Sequence, residues 1–159
     1  MTAQIPPPNT ARNIALIAAL GSLAMLLGAF GFQYLGDMPP CKLCIWQRWP
    51  HGLAFGLGLV VLVWPNRALY ALGAGIVLVG AGIALYHSGV EQQWWQGPTT
   101  CTSQGVGGIS GQDLMAQILA APVVRCDEIP WSMLGLSMAA WNGVASLGLA
   151  ALWLVAARR

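Results

Sequence analysis

The sequence predicts an all-α membrane protein: a four-transmembrane-helix bundle with a short interfacial helix in its second outer loop. Three observations predict it. Of 159 residues, 57% are hydrophobic and only 8% are charged, far from the composition of soluble domains. The apolar residues fall into four blocks, each near the roughly 20 residues a helix needs to cross a hydrocarbon core of about 30 Å. The charges between the blocks differ in kind from one side to the other, as they do when a chain crosses a bilayer repeatedly. A net charge of +2, scattered along the chain, excludes a nucleic-acid surface.

The first span covers residues 13–35. Its apolar run is too long for a signal peptide, and Gly36-Asp37-Met38-Pro39-Pro40 follows it as a turn rather than a cleavage site. The second span, 44–64, ends where Pro65-Asn66-Arg67 breaks the helix. The third covers 68–86 and the fourth 134–155, leaving Arg158 and Arg159 as a basic tail. All of 1–159 forms one membrane domain, with outer loops at 36–43 and 87–133. In the larger loop, residues 112–121 carry Leu114, Met115, Ile118 and Leu119 at helical spacing, which fits a helix lying on the membrane or capping the bundle. Trp94, Trp95 and Trp131 fit an aromatic belt at the interface. No strand precedes Gly73-Ala74-Gly75 or Gly80-Ala81-Gly82, so these glycines, with Gly52 and Gly56, are read as close helix packing rather than a nucleotide fingerprint.

Four crossings leave both termini on one side. Arg12, Arg67, Arg158 and Arg159 share that side without an acidic residue. Asp37, Glu91, Asp113, Asp127 and Glu128 lie opposite, mixed with Lys42, Arg48 and Arg125. The positive-inside rule makes the arginine side cytoplasmic. All four cysteines then fall on the outer face, where disulfides persist.

Cys41-Lys42-Leu43-Cys44 sets two thiols at the start of the second helix, behind Pro39-Pro40. Amide groups at a helix N-terminus favour an anion, and a nearby cation lowers a thiol pKa further. Arg48 follows Cys44 by one turn on the same face. It lies on the side where the positive-inside rule expects few cations, so a chemical role outweighs simple anchoring. The CxxC is followed by no haem-type histidine, sits in no βαβ unit and has no second CxxC to complete a zinc site. Cys101 and Cys126 flank a stretch containing Gly105, Gly107, Gly108 and Gly111, which suits cysteines that must visit one another in thiol–disulfide exchange. The spacing leaves all three full pairings of four cysteines open.

Pro40-Cys41-x-x-Cys44-x-x-x-Arg48, Tyr86-His87, Cys101, and Cys126-Asp127 followed by Trp131 and Leu134-Gly135-Leu136 together resemble the DsbB family of disulfide bond formation proteins, over nearly the whole chain. The resemblance implies a bacterial inner-membrane oxidoreductase that re-oxidises a periplasmic DsbA-type dithiol protein and passes electrons to the quinone pool, ubiquinone or menaquinone. It implies catalytic Cys41, Cys44, Cys101 and Cys126, with pairs Cys41–Cys44 and Cys101–Cys126 at rest. Cys101 is the sulfur attacked by the partner, Cys126 attacks Cys41, and Cys44 is released beside Arg48 to reduce the quinone. Arg48 and His87 are the quinone contacts it implies, and no metal is called for. His51 lies near Cys44 and Arg48 by spacing alone and is read as packing.

Two other readings are weighed. A vitamin K epoxide reductase-like protein also joins a four-helix bundle, quinone and paired cysteines, but that resemblance requires the CxxC on the last helix. A structural or metal-binding membrane protein with inert cysteines would be marked by stoichiometric zinc or by disulfides that never exchange.

Overall fold

The computed structural model describes residues 8–98 and 124–159; Cys101 and the expected interfacial helix at 112–121 lie outside them. Among the described residues four helices carry the fold, in chain order α1 (Pro8–Tyr34), α2 (Lys42–Val63), α3 (Arg67–Glu91) and α4 (Met138–Arg158). A ribbon of two short strands, β1 (Ser132–Met133) and β2 (Leu136–Ser137), precedes α4.

Among the described residues α1, α3 and α4 are long and apolar enough to cross a membrane, with mean hydropathies of 2.2, 2.2 and 1.5. At 22 residues α2 has the length, but its first turns hold Gln47, Arg48, Pro50 and His51, which dilute its apolar character. The outside of the bundle is apolar: Leu20, Leu27, Leu59, Leu72, Leu85 and Leu147 are each at least half exposed. Polar Ser22, Gln47, His51, His87 and Ser146 are buried. This inversion of the soluble pattern is that of a protein whose solvent is hydrocarbon, where helices satisfy their own backbones and polar side chains turn inward.

The helices pack as a ring, α1 against α2, α2 against α3, α3 against α4 and α4 back against α1, with α3–α4 the most extensive contact. Small residues permit it: Ala15, Ala18, Ala54, Ala74 and Ala150 line the interior, and Tyr70 and Trp153 fill it toward one end. Close approach is the role of Gly73 and Gly80. A Cβ at Gly73 would come within 2.5 Å of the Trp153 ring, and one at Gly80 within 3.1 Å of Pro50. A Cβ at Gly75, Gly82, Gly52 or Gly56 would meet nothing within 4 Å among the described residues, so of the six glycines read as close packing, Gly73 and Gly80 are the two that show it there. A Gly73→Ala substitution should therefore cost about 1–3 kcal/mol through overpacking. Denaturation in detergent checks this, with Gly75→Ala as the control.

Two helix ends differ from the expected runs. α3 continues to Glu91, so residues 87–91, expected to open the outer loop, form its last turn and carry His87 and Glu91 on one face. The apolar run that begins at Leu134 becomes helical only at Met138. Leu134 and Gly135 take φ of 52° and 78° and turn the chain into a hairpin that pairs Ser132 with Ser137 and Met133 with Leu136. Positive φ at both central residues is what the tight hairpin turn requires. Ser137 then caps α4, its hydroxyl accepting from the Ala140 amide at 3.1 Å.

The ends of the bundle differ chemically. At one end the Arg67 guanidinium donates to the Arg159 carbonyl at 3.1 Å. At the other end the start of α2, the end of α3 and the start of α4 converge with the segment around Cys126.

Candidate active site

Pro39 and Pro40 cannot continue a helix, and the chain re-enters helical geometry behind them with Cys41 as the N-cap of α2. The Cys41 sulfur accepts from the Cys44 amide at 3.2 Å, satisfying one of the donors a helix N-terminus leaves open. The same turn brings the two sulfurs to 2.7 Å. The neighbouring Cys44 sulfur, and then burial, push the Cys41 thiol up from its ordinary pKa. In the dithiol, Cys41 therefore keeps a proton more readily than an isolated cysteine does.

Cys126 is buried in one apolar cluster with Cys41, Leu43 and Val90. The structure thus brings together Cys41, Cys44 and Cys126, the three expected site cysteines that lie among the described residues. Next to Cys126, the Arg125 guanidinium grips the Asp127 carboxylate with two bonds of 3.0 and 2.6 Å. These bonds hold Asp127 below the ordinary carboxylate range. Around the same segment, Gln93, Trp94, Trp95, Arg125, Cys126 and Asp127 line a cavity of about 530 Å³. Of the expected interfacial tryptophans, Trp95 stacks on Tyr86 and donates to its carbonyl at 2.8 Å, while Trp131 meets Phe32.

Arg48 sits one turn below Cys44, but its guanidinium is bound to α1. Nη1 donates to Gln33 Oε1 at 2.6 Å, Nη2 reaches the Ala29 carbonyl at 3.4 Å, and the group lies 4.8 Å from the Phe30 ring centre. Its Nε is buried and has no hydrogen-bond partner among the described residues.

His87 is buried at the end of α3, with Nε2 3.6 Å from the Cys41 sulfur and 3.9 Å from Glu91 Oε1. Its Nδ1 meets the Gln47 side-chain amide at 2.7 Å. The Gln47 carbonyl accepts from Asn142 at 2.5 Å, and Asn142 Oδ1 meets His51 Nε2 at 2.8 Å. Glu91 accepts from the Ser137 hydroxyl. His51, read from the sequence as packing, is thus one link of a buried polar chain that crosses the bundle from α3 through α2 to α4. Sequence reasoning missed Gln33, Gln47, Glu91, Ser137 and Asn142. A signal was available for Gln33, Gln47 and Asn142, since a polar side chain inside an apolar span is costly and marks function by default.

The arrangement suits electron-pair transfer between sulfurs: a vicinal dithiol at a helix N-terminus, a third thiol packed beside it, and a guanidinium one turn away. The family profile described as Disulfide bond formation protein DsbB matches residues 11–156. The Disulfide bond formation protein B of Alkalilimnicola ehrlichii is 32% identical over 163 residues, 93% of this chain and 94% of the relative. That of Hahella chejuensis is 30% identical over 164 residues, 94% of each, and that of Polaromonas naphthalenivorans 28% over 160, 91% of each. No solved structure matches the chain. With the profile running through all four helices and the three described cysteines, the chain belongs to the DsbB family of disulfide bond formation proteins.

Proposed function

We propose that this protein re-oxidises a periplasmic DsbA-type dithiol protein and delivers the electrons to a membrane quinone. The observation that carries the reading is the packing of Cys126, from the outer segment, into one buried cluster with Cys41 of the dithiol turn. A cysteine brought in by a distant part of the chain has little packing reason to sit there. An exchange relay needs it there.

The steps balance as successive thiolate attacks. A partner thiolate attacks Cys101, forming a mixed disulfide, and the Cys101–Cys126 bond breaks with its electron pair on Cys126. The second partner thiol then displaces Cys101, which leaves as a thiol or thiolate, and the partner departs oxidised. Cys126 attacks Cys41, a Cys41–Cys126 bond forms, and Cys44 leaves as thiolate. Cys101 then attacks Cys126, restoring the loop disulfide and leaving Cys41 and Cys44 reduced. Ubiquinone or menaquinone supplies the acceptor for two electrons when bound, and the Cys41–Cys44 disulfide is restored.

The residues present fit a quinone. Arg48 Nε is a buried donor with no acceptor among the described residues, one turn from Cys44, and a charged donor suits an oxygen that gains negative charge. Arg48 and Cys44 are the groups proposed to border the quinone. His87 is proposed to border that site at its edge, beside Cys41, with its two ring nitrogens facing Cys41 and Gln47. Four crossings are proposed, with α2 the least apolar because it carries the site. The arginines gathered at the opposite end support cytoplasmic termini and periplasmic cysteines in a bacterial inner membrane.

Purified protein in lipid nanodiscs should oxidise a DsbA-type dithiol only when quinone is supplied, one quinone consumed per dithiol. Turnover without quinone under anaerobic conditions would count against the reading. Arg48→His should raise the apparent KM for quinone about tenfold, or ~1.4 kcal/mol, with a smaller change in kcat. An unchanged KM removes Arg48 from the site.

A metal-binding reading has one observation behind it: the donor atoms of Cys41, Cys44 and His87 all lie within 4.8 Å of one another. Closed structural zinc sites take four such ligands. Stoichiometric zinc in the purified protein, with thiols that never exchange, would favour that reading over the relay.

A further inference from the structure

We infer that Gln47 and Asn142 are positioning residues that fix the ring proton of His87 on Nε2, so that this histidine donates a hydrogen bond to the Cys41 sulfur. The inference rests on the exchange reading above and assigns a task to two amides that the reading does not use.

An amide nitrogen can only donate and an amide oxygen can only accept. With Gln47 Nε2 2.7 Å from His87 Nδ1, Nδ1 must accept. In a ring carrying one proton, that proton is then on Nε2, which faces the Cys41 sulfur at 3.6 Å. Gln47 cannot turn over alone, because Asn142 Nδ2 donates to its oxygen at 2.5 Å. Nor can Asn142 turn over alone, because its oxygen accepts from His51 Nε2 at 2.8 Å. The chain of bonds runs in one direction throughout or is reversed throughout.

Both ends select the same direction. At the far end, His51 Nδ1 is buried without a partner among the described residues. In the observed direction it presents a lone pair there, whereas reversal would bury an unpaired N–H, the costlier of the two defects. At the near end, reversal would aim a nitrogen lone pair at Glu91 Oε1, 3.9 Å away. The observed direction aims an N–H at that oxygen and at the Cys41 sulfur. Ser146 Oγ, 3.5 Å from His51 Nε2, is a second acceptor for the proton placed there.

His87 so held is a donor to Cys41 and not a base for its thiol. Electron density arrives on the Cys41 sulfur when Cys101 attacks Cys126 and the Cys41–Cys126 bond breaks, and it meets an N–H already in place. Cys41 is then the better leaving group, and the reduced form of the Cys41–Cys44 pair is favoured, without any reorganisation. A carboxylate in place of Gln47 would take the proton to Nδ1 and undo this, as carboxylate and amide partners select opposite tautomers of a catalytic histidine.

The test needs neither quinone nor partner. The protein has two histidines, so 15N-histidine NMR in nanodiscs, with a His87→Asn spectrum for assignment, reads which ring nitrogen is protonated. Wild-type protein at alkaline pH should show His87 protonated on Nε2, and Gln47→Glu should move the proton to Nδ1. Asn142→Leu, which frees Gln47 to turn, should give a mixture of the two tautomers. With Cys101 and Cys126 both replaced by Ser, the glutathione equilibrium of the Cys41–Cys44 pair should shift about tenfold toward disulfide in Gln47→Glu, roughly 30 mV for two electrons. A wild-type His87 protonated on Nδ1, or a Gln47→Glu protein with both tautomer and equilibrium unmoved, overturns the inference. Either outcome leaves the quinone-oxidase reading intact. Failure of quinone-dependent turnover would sink that reading and leave the tautomer standing.

Discussion

Replacing Cys44 by Ser should lower quinone-dependent turnover by about 10³-fold or more, because it removes the sulfur that carries the electron pair out of the relay. The serine keeps the shape of the side chain with a smaller, more polar atom in place of sulfur, and the α2 cap survives because the Cys41 sulfur accepts from the backbone amide at position 44. Stability and expression should therefore stay close to wild type. The loss belongs to the chemistry and not to folding. Stopped-flow measurement of quinone absorbance with a reduced DsbA-type protein checks the rate, and thermal denaturation checks the fold. A Cys44→Ser protein with full turnover would require a different sulfur beside the acceptor.

The second large effect is selective. Cys126→Ser should cut oxidation of a protein dithiol by about 10³-fold while leaving oxidation of a small dithiol such as dithiothreitol within about fivefold. Cys126 is held in the cluster with Cys41, and delivery from the outer segment is an intramolecular step with a large effective concentration. A small dithiol can reach the Cys41–Cys44 disulfide directly and needs no relay. Equal losses with both reductants would place Cys126 in the support of the dithiol turn instead. No loss with either would remove it from the path.

The parts of this architecture legible in the sequence are those set by the solvent. Apolar blocks near spanning length locate α1 to α4 to within a few residues over most ends, and for α1, α3 and α4, which are long and apolar enough to cross a membrane, hydrocarbon would enforce a helix wherever the backbone crosses it. The departures fall where that pressure ends. Residues 87–91 remain helical because His87 and Glu91 find partners in Cys41, Gln47 and Ser137, contacts from other helices that periodicity cannot display. Leu134 reads as the start of a span, yet it adopts a positive φ beside Gly135. A hairpin there lets Ser137 cap α4 and reach Glu91.

The site shows the same division. Cys41, Cys44 and Arg48 lie within eight residues of sequence, and local helix geometry alone sets their spacing. The approach of Cys126 to Cys41 is long-range and was an expectation from family resemblance until the fold placed the two in one cluster. The orientation of Arg48 was not legible either. One-turn spacing points it at Cys44, whereas its two Nη groups are bound to α1 through Gln33 and Ala29. Gln47, Asn142 and His51 come from two helices that face one another across the ring, and only the folded bundle joins them.

The proposed relay depends most directly on a bond formed between Cys126 and Cys41 during turnover. Reacting the protein with excess reduced DsbA-type partner under limiting quinone, quenching in acid, alkylating and mapping the peptides measures it. The account predicts a Cys41–Cys126 disulfide with Cys44 free and alkylated. A Cys41–Cys44 bond that stays closed throughout, while Cys126 is found joined only to Cys101 or to the partner, would contradict it.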